Sequence, residues 1–126
     1  MKIDPYNFIT QFNIEDSIVS YYNLVEICQG GPLVGFLLLN NQPLLENIYF
    51  GGPSLLFENK IIIPQLLKHF FSKKFIITII DIKTKKSKVF GKKKDLILLS
   101  RIQENKIFYY TDLENKNLES INYIEL

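Results

Sequence analysis

The sequence predicts a mainly β protein: a single-domain antiparallel β-sandwich, or a partly open barrel or meander, with a short N-terminal helix. Three observations predict this class. The 126-residue chain contains ten Phe and seven Tyr beside many Ile, a composition that favours strands. Residues 30–71 contain one turn-and-strand pattern twice. Phe75–Ile82 is apolar at both alternating positions, which indicates a strand covered on both faces.

The internal repeat has an offset of twenty-one residues, since Gly30-Gly31-Pro32 recurs as Gly51-Gly52-Pro53. Each copy continues into an apolar run and then an Asn-containing break, at Asn40-Asn41 or Glu58-Asn59-Lys60. Each copy ends at a proline, which we expect to interrupt the next apolar run. Gly, Asn and Pro supply the backbone conformations that tight turns need, including positive φ. Each copy therefore predicts a β-hairpin, with about four short strands before Pro64.

The segment before the repeat predicts the helix and a first strand. Asp4-Pro5 suits a helix start and is followed by apolar residues on one face, so we expect a helix over about residues 5–13. Asp16–Cys28 combines helical spacing with a crowd of Ile, Val and Tyr. We interpret it as a strand from about Ser20, with a helix as the alternative. Gln65–Phe71 has the i, i+4 spacing of a helical turn.

The second half of the chain predicts a meander around Phe75–Ile82, which we expect to be the central strand. A turn through Lys83–Ser87 leads to a short strand that ends at Phe90. Leu96–Ile102 and Ile107–Thr111 predict another hairpin with Asn at its turn, and 118–126 predicts a last edge strand. About nine short strands would surround one core, and 1–126 would form one domain.

Composition limits the class of protein. Hydrophobic residues make up 47% of the chain and charged residues 22%, which excludes a disordered protein. The apolar runs are shorter than the roughly twenty residues that cross a bilayer, and the N-terminus lacks the pattern of a signal peptide. A single cysteine forms no internal disulfide. We expect a soluble, cytoplasmic protein without a membrane partner.

Residues that carry chemistry are scarce. The chain has one His, His69, and one Cys, Cys28, and neither has the neighbours of a catalytic base or an activated thiolate. Metal-ligand spacing is absent, and the Gly-Gly pairs precede proline and a strand rather than a helix that could bind phosphate. The sequence therefore predicts no catalytic residue, no metal and no cofactor.

Charge is unevenly distributed along the chain. Residues 68–94 contain ten lysines and one acid, Asp81, so the rest of this +2 chain is net acidic. We predict a partner-binding surface within this segment. Its residues are Lys83, Lys85, Lys86, Lys88, Lys92, Lys93 and Lys94. The alternative is that these lysines only protect an edge hairpin against aggregation.

The lysine segment favours a protein partner over nucleic acid. It contains no arginine, and Phe90 is the one aromatic residue in its hairpin, whereas proteins that bind single strands present aromatic stacking platforms. Lysines on a hairpin suit the acidic surface of a protein, where charge steers the encounter. We therefore expect a protein partner.

A small β chain rich in Ile, Lys and Asn, with segregated charge and no catalytic constellation, resembles a known type of protein. Glu58-Asn59-Lys60-Ile61 recurs as Glu104-Asn105-Lys106-Ile107 in the predicted meander. In these features the chain resembles the immunity proteins of bacterial toxin systems, such as those paired with contact-dependent growth inhibition toxins. The resemblance implies a non-enzymatic protein that binds a cognate toxin domain and neutralises it.

The alternative function is a small-ligand-binding β-barrel, or a small enzyme, with an internal pocket. His69 with Tyr109 or Tyr110 would then form the polar end of an apolar cavity. A homo-oligomer built by edge pairing of the tail strand is compatible with either function.

Overall fold

The computed structural model describes residues 8–27, 32–68 and 73–123, and this part of the chain contains eleven strands and no helix. The mainly β, antiparallel class is therefore confirmed. The strands are β1 (Gln11–Ile14), β2 (Ser17–Glu26), β3 (Leu33–Leu39), β4 (Gln42–Leu44), β5 (Leu55–Phe57), β6 (Lys60–Lys68), β7 (Lys73–Asp81), β8 (Ser87–Lys94), β9 (Leu98–Gln103), β10 (Lys106–Tyr110) and β11 (Leu118–Asn122).

Three antiparallel sheets follow one another along the chain. The first sheet has the order β1-β2-β3-β4, the central sheet β5-β6-β7-β8, and the third sheet β11-β10-β9. All strands that are neighbours in these sheets are also consecutive in sequence, as short turns require. Each sheet is therefore a meander.

Strand β7 is an interior strand, as the sequence predicts. It pairs with β6 through nine residue pairs, from Lys60↔Asp81 to Lys68↔Lys73, and with β8 on its other side. Residues 75–80 are all buried. A strand covered on both faces has no solvent-exposed face that requires polar residues, which explains the unbroken apolar run of β7.

The two faces of β6 and β7 belong to two different hydrophobic cores. The first core joins Ile61, Ile63 and Ile80 to inward residues of the first sheet such as Leu37. The second core joins residues on the opposite face, including Ile62, Ile77 and Ile79, to β9 and β10 of the third sheet. The single core expected from the sequence is thus wrong, because a strand pair with two apolar faces needs a cover on each.

A short connecting segment joins the first sheet to the central sheet. Phe50, which is fully buried, exchanges two backbone hydrogen bonds with Gly35 of β3, at 2.8 and 2.9 Å. On its other side Gly51 N donates to Pro64 O and Leu66 N donates to Tyr49 O. Residues 49–51 therefore continue the hydrogen-bond ladder from β3 to β6, and the two sheets form one bent surface.

Pro64 lies inside β6, so the expected strand stop at this proline is wrong. Its carbonyl accepts from Gly51, and in an antiparallel ladder the N and C=O of one residue face the same neighbour. The missing N–H therefore faces the connecting segment, and the β6–β7 ladder loses no bond. The helical turn expected over 65–71 is also wrong for Gln65–Lys68, which continue β6; residues 69–71 lie outside the described part.

The N-terminal helix expected over residues 5–13 is absent where the structure describes this segment, and residues 5–7 lie outside it. Residues 8–10 are irregular and Gln11–Ile14 form β1. The turn at Glu15, with φ of 54°, folds β1 back onto β2. Phe12 and Ile14 thereby reach the first core with period-2 spacing, and this packing outweighs the local helix-start signal.

The ambiguous segment after residue 16 is a strand, β2, and it starts at Ser17 rather than Ser20. The Asn-containing breaks are hairpin turns as expected. Asn40 and Asn41 have φ of 50° and 66° between β3 and β4, and Glu104 and Asn105 have φ of 53° and 61° between β9 and β10. Asn tolerates this left-handed backbone better than most residues.

Gly51 and Gly52 are needed for close packing rather than for turn geometry. Neither has a positive φ, and both are buried. A Cβ on Gly52 would lie 2.6 Å from the ring of Phe8, a distance that forces one of them to move. The positive φ that glycine can supply to a tight turn is therefore not used at this pair. Gly30 and Gly31 lie outside the described residues.

Replacing Ile77 or Ile79 of β7 by Ala should lower the free energy of unfolding by about 2–5 kcal/mol, because each side chain is almost fully buried in the second core and leaves a cavity. Urea denaturation measures the change. Val89→Ala on the neighbouring strand, where Val89 is exposed, is the matched control and should cost less than about 1 kcal/mol. Equal midpoints for Ile79→Ala and wild type would contradict the interior position of β7.

The Tyr21 hydroxyl should stabilise the joint between the first and central sheets. It donates a buried 2.6 Å hydrogen bond to the Gly51 carbonyl, and burial raises the pKa of this phenol far above its ordinary value. Tyr21→Phe leaves that carbonyl without its partner and should cost about 1–3 kcal/mol in a denaturation experiment. Tyr22→Phe, on the opposite and half-exposed face of β2, is the control; an equal loss in both variants would refute this role.

Candidate functional site

The predicted lysine surface lies on the turn that follows β7 and on β8; we name residues 82–94 the lysine hairpin. Asp81 builds the turn, since its Oδ1 accepts from Lys83 N at 2.8 Å and Thr84 N at 3.3 Å. Lys85 N donates to Asp81 O at 2.8 Å, and Lys85 has a φ of 61°. The turn is therefore held by its own hydrogen bonds, with exposed lysine side chains.

Strand β8 is an edge of the central sheet and pairs with β7 alone among the described strands. Phe90 lies opposite Ile77 and is buried in the second core. Lys88 and Val89 are exposed, and 45% of the Val89 surface is accessible. The hairpin thus places an exposed apolar side chain among lysines.

A bulge at Gly91 interrupts this edge. Between the pairs Ile77↔Phe90 and Phe75↔Lys94, the chain advances four residues on β8 and only two on β7. Gly91 has a φ of 87°, and a Cβ on it would lie 2.8 Å from Ile121 of β11. Glycine is needed here for both reasons. The bulge brings β8 against the edge of the third sheet.

Two lysines of the predicted site are neutralised by neighbouring carboxylates. Lys83 Nζ lies 3.6 Å from Glu15 Oε2 on the β1–β2 turn, and Lys94 Nζ lies 3.0 Å from Glu119 Oε1 on β11. Lys93 is exposed in the bulge. The remaining four make no ion pair with a described residue: Lys85, Lys86, Lys88 and Lys92. Uncompensated charge is therefore present on the turn and along β8.

A surface groove of about 420 Å³ lies between β8 and β11. Lys92 and Lys94 line one side, and Glu119 and Ser120 line the other. Tyr109 lies in the groove with its hydroxyl 3.4 Å from Glu119 Oε1, the oxygen that also contacts Lys94. The groove has the donors to hold a small anion, although Glu119 already occupies two of them.

Burial raises the pKa of the Tyr109 phenol, and the nearby negative charge of Glu119 raises it further. Tyr109 therefore remains a neutral hydrogen-bond donor near neutral pH. Tyr110, the other tyrosine considered for an internal pocket, is the next residue on β10 and so faces the opposite side of the third sheet. The two tyrosines do not share a pocket, and the one that Tyr109 lines is open to solvent.

His69 and Cys28 lie outside the described residues. Within the described ranges, no three His, Cys, Asp or Glu side chains come close enough to hold a metal ion. No helix that could cross a membrane occurs in the same ranges.

Two aromatic features escaped sequence reasoning. The guanidinium of Arg101 lies 4.3 Å from the ring centre of Phe108, its cross-strand neighbour on the third sheet. On the first sheet, Phe36 stacks on Tyr49 at 4.3 Å and contacts Tyr22 at 5.5 Å. Alternation along β2 and β3 is the signal that could have indicated the second group, since Tyr22 and Phe36 lie on the face opposite the core.

Comparison of the chain with known protein families, with curated proteins and with solved structures found no match.

Glu119→Gln should lower the pKa of Tyr109 without restoring its ordinary value, because the charge of Glu119 is the second cause of the shift and burial is the first. An NMR titration of the ¹³C-labelled tyrosine ring measures the change. Glu114→Gln, which alters an exposed carboxylate paired with Lys116, should leave Tyr109 unaffected. An unchanged Tyr109 titration in Glu119→Gln would exclude the proposed contact.

Proposed function

We propose that this protein is a non-enzymatic binding module that docks an acidic protein surface on its lysine hairpin. The resemblance to bacterial immunity proteins supports a cognate toxin domain, neutralised in the cytoplasm, as the partner. The observation that carries the proposal is the group of lysines without a carboxylate partner among the described residues, held on an ordered turn beside exposed Val89.

Uncompensated charge of one sign favours association with the opposite sign. An isolated lysine on a surface contributes little to affinity, but a cluster creates a field that accelerates encounter and orients the partner. The hydrogen bonds of Asp81 fix the backbone of the turn, so less conformational entropy is lost when the turn becomes part of an interface. Val89 supplies an apolar contact at the centre, where interfaces exclude water.

Several contacts favour a protein over a nucleic acid at this hairpin. Phe90, its one aromatic residue, faces the second core and is 7% exposed, so no base can stack on it. The single arginine of the chain, Arg101, lies on the third sheet against Phe108. The hairpin therefore lacks the bidentate and stacking groups that nucleic-acid sites combine with lysine.

Reversing the charge of Lys85, Lys86 and Lys88 to Glu should slow association with the toxin domain, with a smaller effect on dissociation. The probe is the purified domain of the polypeptide encoded in the neighbouring reading frame, and stopped-flow fluorescence measures the rates. The wild-type rate should fall as salt rises, since the Debye length shrinks from about 10 Å at 0.1 M to about 3 Å at 1 M. Circular dichroism verifies that the variant is folded.

A matched control carries the same change of net charge elsewhere. Lys60, Lys106 and Lys116 lie on β6, on β10 and in the β10–β11 turn, so their reversal to Glu alters total charge but not the hairpin. The control should retain the wild-type association rate. Equal slowing in both triple variants would show that net charge, rather than the hairpin, determines the association rate. Submicromolar binding of a random RNA or DNA pool would contradict the proposed protein partner and indicate a nucleic acid instead.

A further inference from the structure

The outer face of the first sheet has a covered part and an open part, since Val34 on this face of β3 is buried in the second core whereas 47% of Ile18, near the β1–β2 turn, is exposed. The third sheet covers the equivalent face of the central sheet, where β9 contacts β5 and β6. The part of the first sheet near the β1–β2 turn has no such cover, since Ile18, Leu38 and Pro43 belong to neither core. We name the open part the aromatic face; its residues are Ile18, Tyr22, Phe36, Leu38 and Pro43.

The register establishes that these residues share one side. Tyr22 is paired with Phe36, Ser20 with Leu38, and Leu38 with Pro43. The alternate residues Val19, Tyr21 and Leu37 face the first core. Ile18 and Pro43 are exposed, and Tyr22, Phe36 and Leu38 are half-buried. Apolar side chains that remain accessible to solvent in one area are typical of a protein–protein interface.

The stretch of sequence that forms the first sheet contains acidic residues but no basic ones. Residues 8–59 contain no lysine and no arginine, and they carry five carboxylates: Glu15, Asp16, Glu26, Glu46 and Glu58. An occupant complementary to this surface has a small apolar centre framed by cations. The lysine hairpin of the same chain has this chemistry, with exposed Val89 among lysines.

The two complementary surfaces also lie side by side. Glu15 on the β1–β2 turn and Lys83 on the lysine hairpin approach to 3.6 Å. A two-fold axis close to this contact would place the acidic turn of each copy opposite the lysine hairpin of the other. Such an interface is isologous and closes at two subunits.

We propose that the aromatic face and the lysine hairpin together form a dimer interface, and that the occupant is a second copy of this chain. Asp16 of one copy lies against Lys85 and Lys86 of the other, and the apolar centre contains Ile18 and Val89. The proposal does not depend on the toxin partner. Because the same lysines serve both contacts, dimer formation competes with partner binding.

The first experiment is sedimentation equilibrium of the full chain at several concentrations. The wild type should be a dimer at about 0.1 M salt and should dissociate as salt approaches about 1 M. Ile18→Glu places a charge in the apolar centre and should raise the dimer dissociation constant more than about tenfold. Leu56→Glu on β5 is the matched control, since Leu56 is 44% exposed and lies outside the first sheet; it should leave the dimer intact.

The second experiment is a charge swap. Asp16→Lys and the double variant Lys85→Glu, Lys86→Glu should each be monomeric, because each places like charges opposite one another in a symmetric dimer. An equimolar mixture should form a heterodimer, since both contacts then join opposite charges. Circular dichroism and urea denaturation verify the fold of each variant.

Three results would overturn the proposal. They are a monomeric wild type at low salt, equal dissociation in the Ile18 and Leu56 variants, and a charge-swap mixture that remains monomeric. A monomeric chain that still binds the toxin domain would leave the proposed function standing and exclude the second copy alone. A chain that forms the dimer but does not bind the toxin domain would support the dimer and contradict the proposed function.

Discussion

The double burial of β6 and β7 is the constraint on which the rest of this fold depends. Odd and even residues of these two strands face different cores. A shift of either strand by one residue would therefore exchange the side chains that face the first core with those that face the second. The first and third sheets are the covers that this pair requires. The Tyr49–Gly51 segment fixes one cover by backbone hydrogen bonds, while the other cover is held by side-chain packing. Loss of packing on one face therefore weakens strands that the other core also uses.

Acidic and basic residues lie in different parts of the chain, as the two covering sheets do. The first sheet and its turns are acidic, the outer hairpin of the central sheet is basic, and the Glu15–Lys83 contact is where these regions meet. Since the chain as a whole is nearly neutral, this separation produces an asymmetric distribution of charge rather than a large net charge. Both proposed interactions depend on this asymmetric distribution of charge.

The sequence was informative where one local signal decided the structure. The unbroken apolar run of β7 indicated an interior strand, and Asn40-Asn41 and Glu104-Asn105 indicated hairpin turns, because each signal reflects burial or backbone conformation of those residues alone. It failed at residues 8–13 and 65–68, where helical spacing was outweighed by pairing with partners elsewhere in the chain. Gly52 escaped for a similar reason, since the ring of Phe8 that it accommodates is forty-four residues away.

The composition of the sequence predicted which segment of the candidate site is charged, but it did not predict how the side chains of the site are arranged. Ten lysines in residues 68–94 identified a charged hairpin. Which of them are paired depended on Glu15 and Glu119, carboxylates from opposite ends of the chain that only the folded structure brings near. The aromatic face was also invisible to local reasoning, because it requires the register between β2, β3 and β4.

The Gly91 bulge determines how β8 can be recognised. A continuous edge strand offers a partner a row of backbone donors and acceptors that is nearly independent of sequence, and any extended peptide can pair with it. Here the row is broken in the middle of β8, so recognition of this edge must rely on side chains instead. Substitutions at exposed positions such as Lys88 and Val89 would therefore alter the proposed contacts while the hydrogen bonds to β7 remain. The proposed interface could therefore be altered by changes of exposed side chains alone, without a change in the strand pairing of the fold.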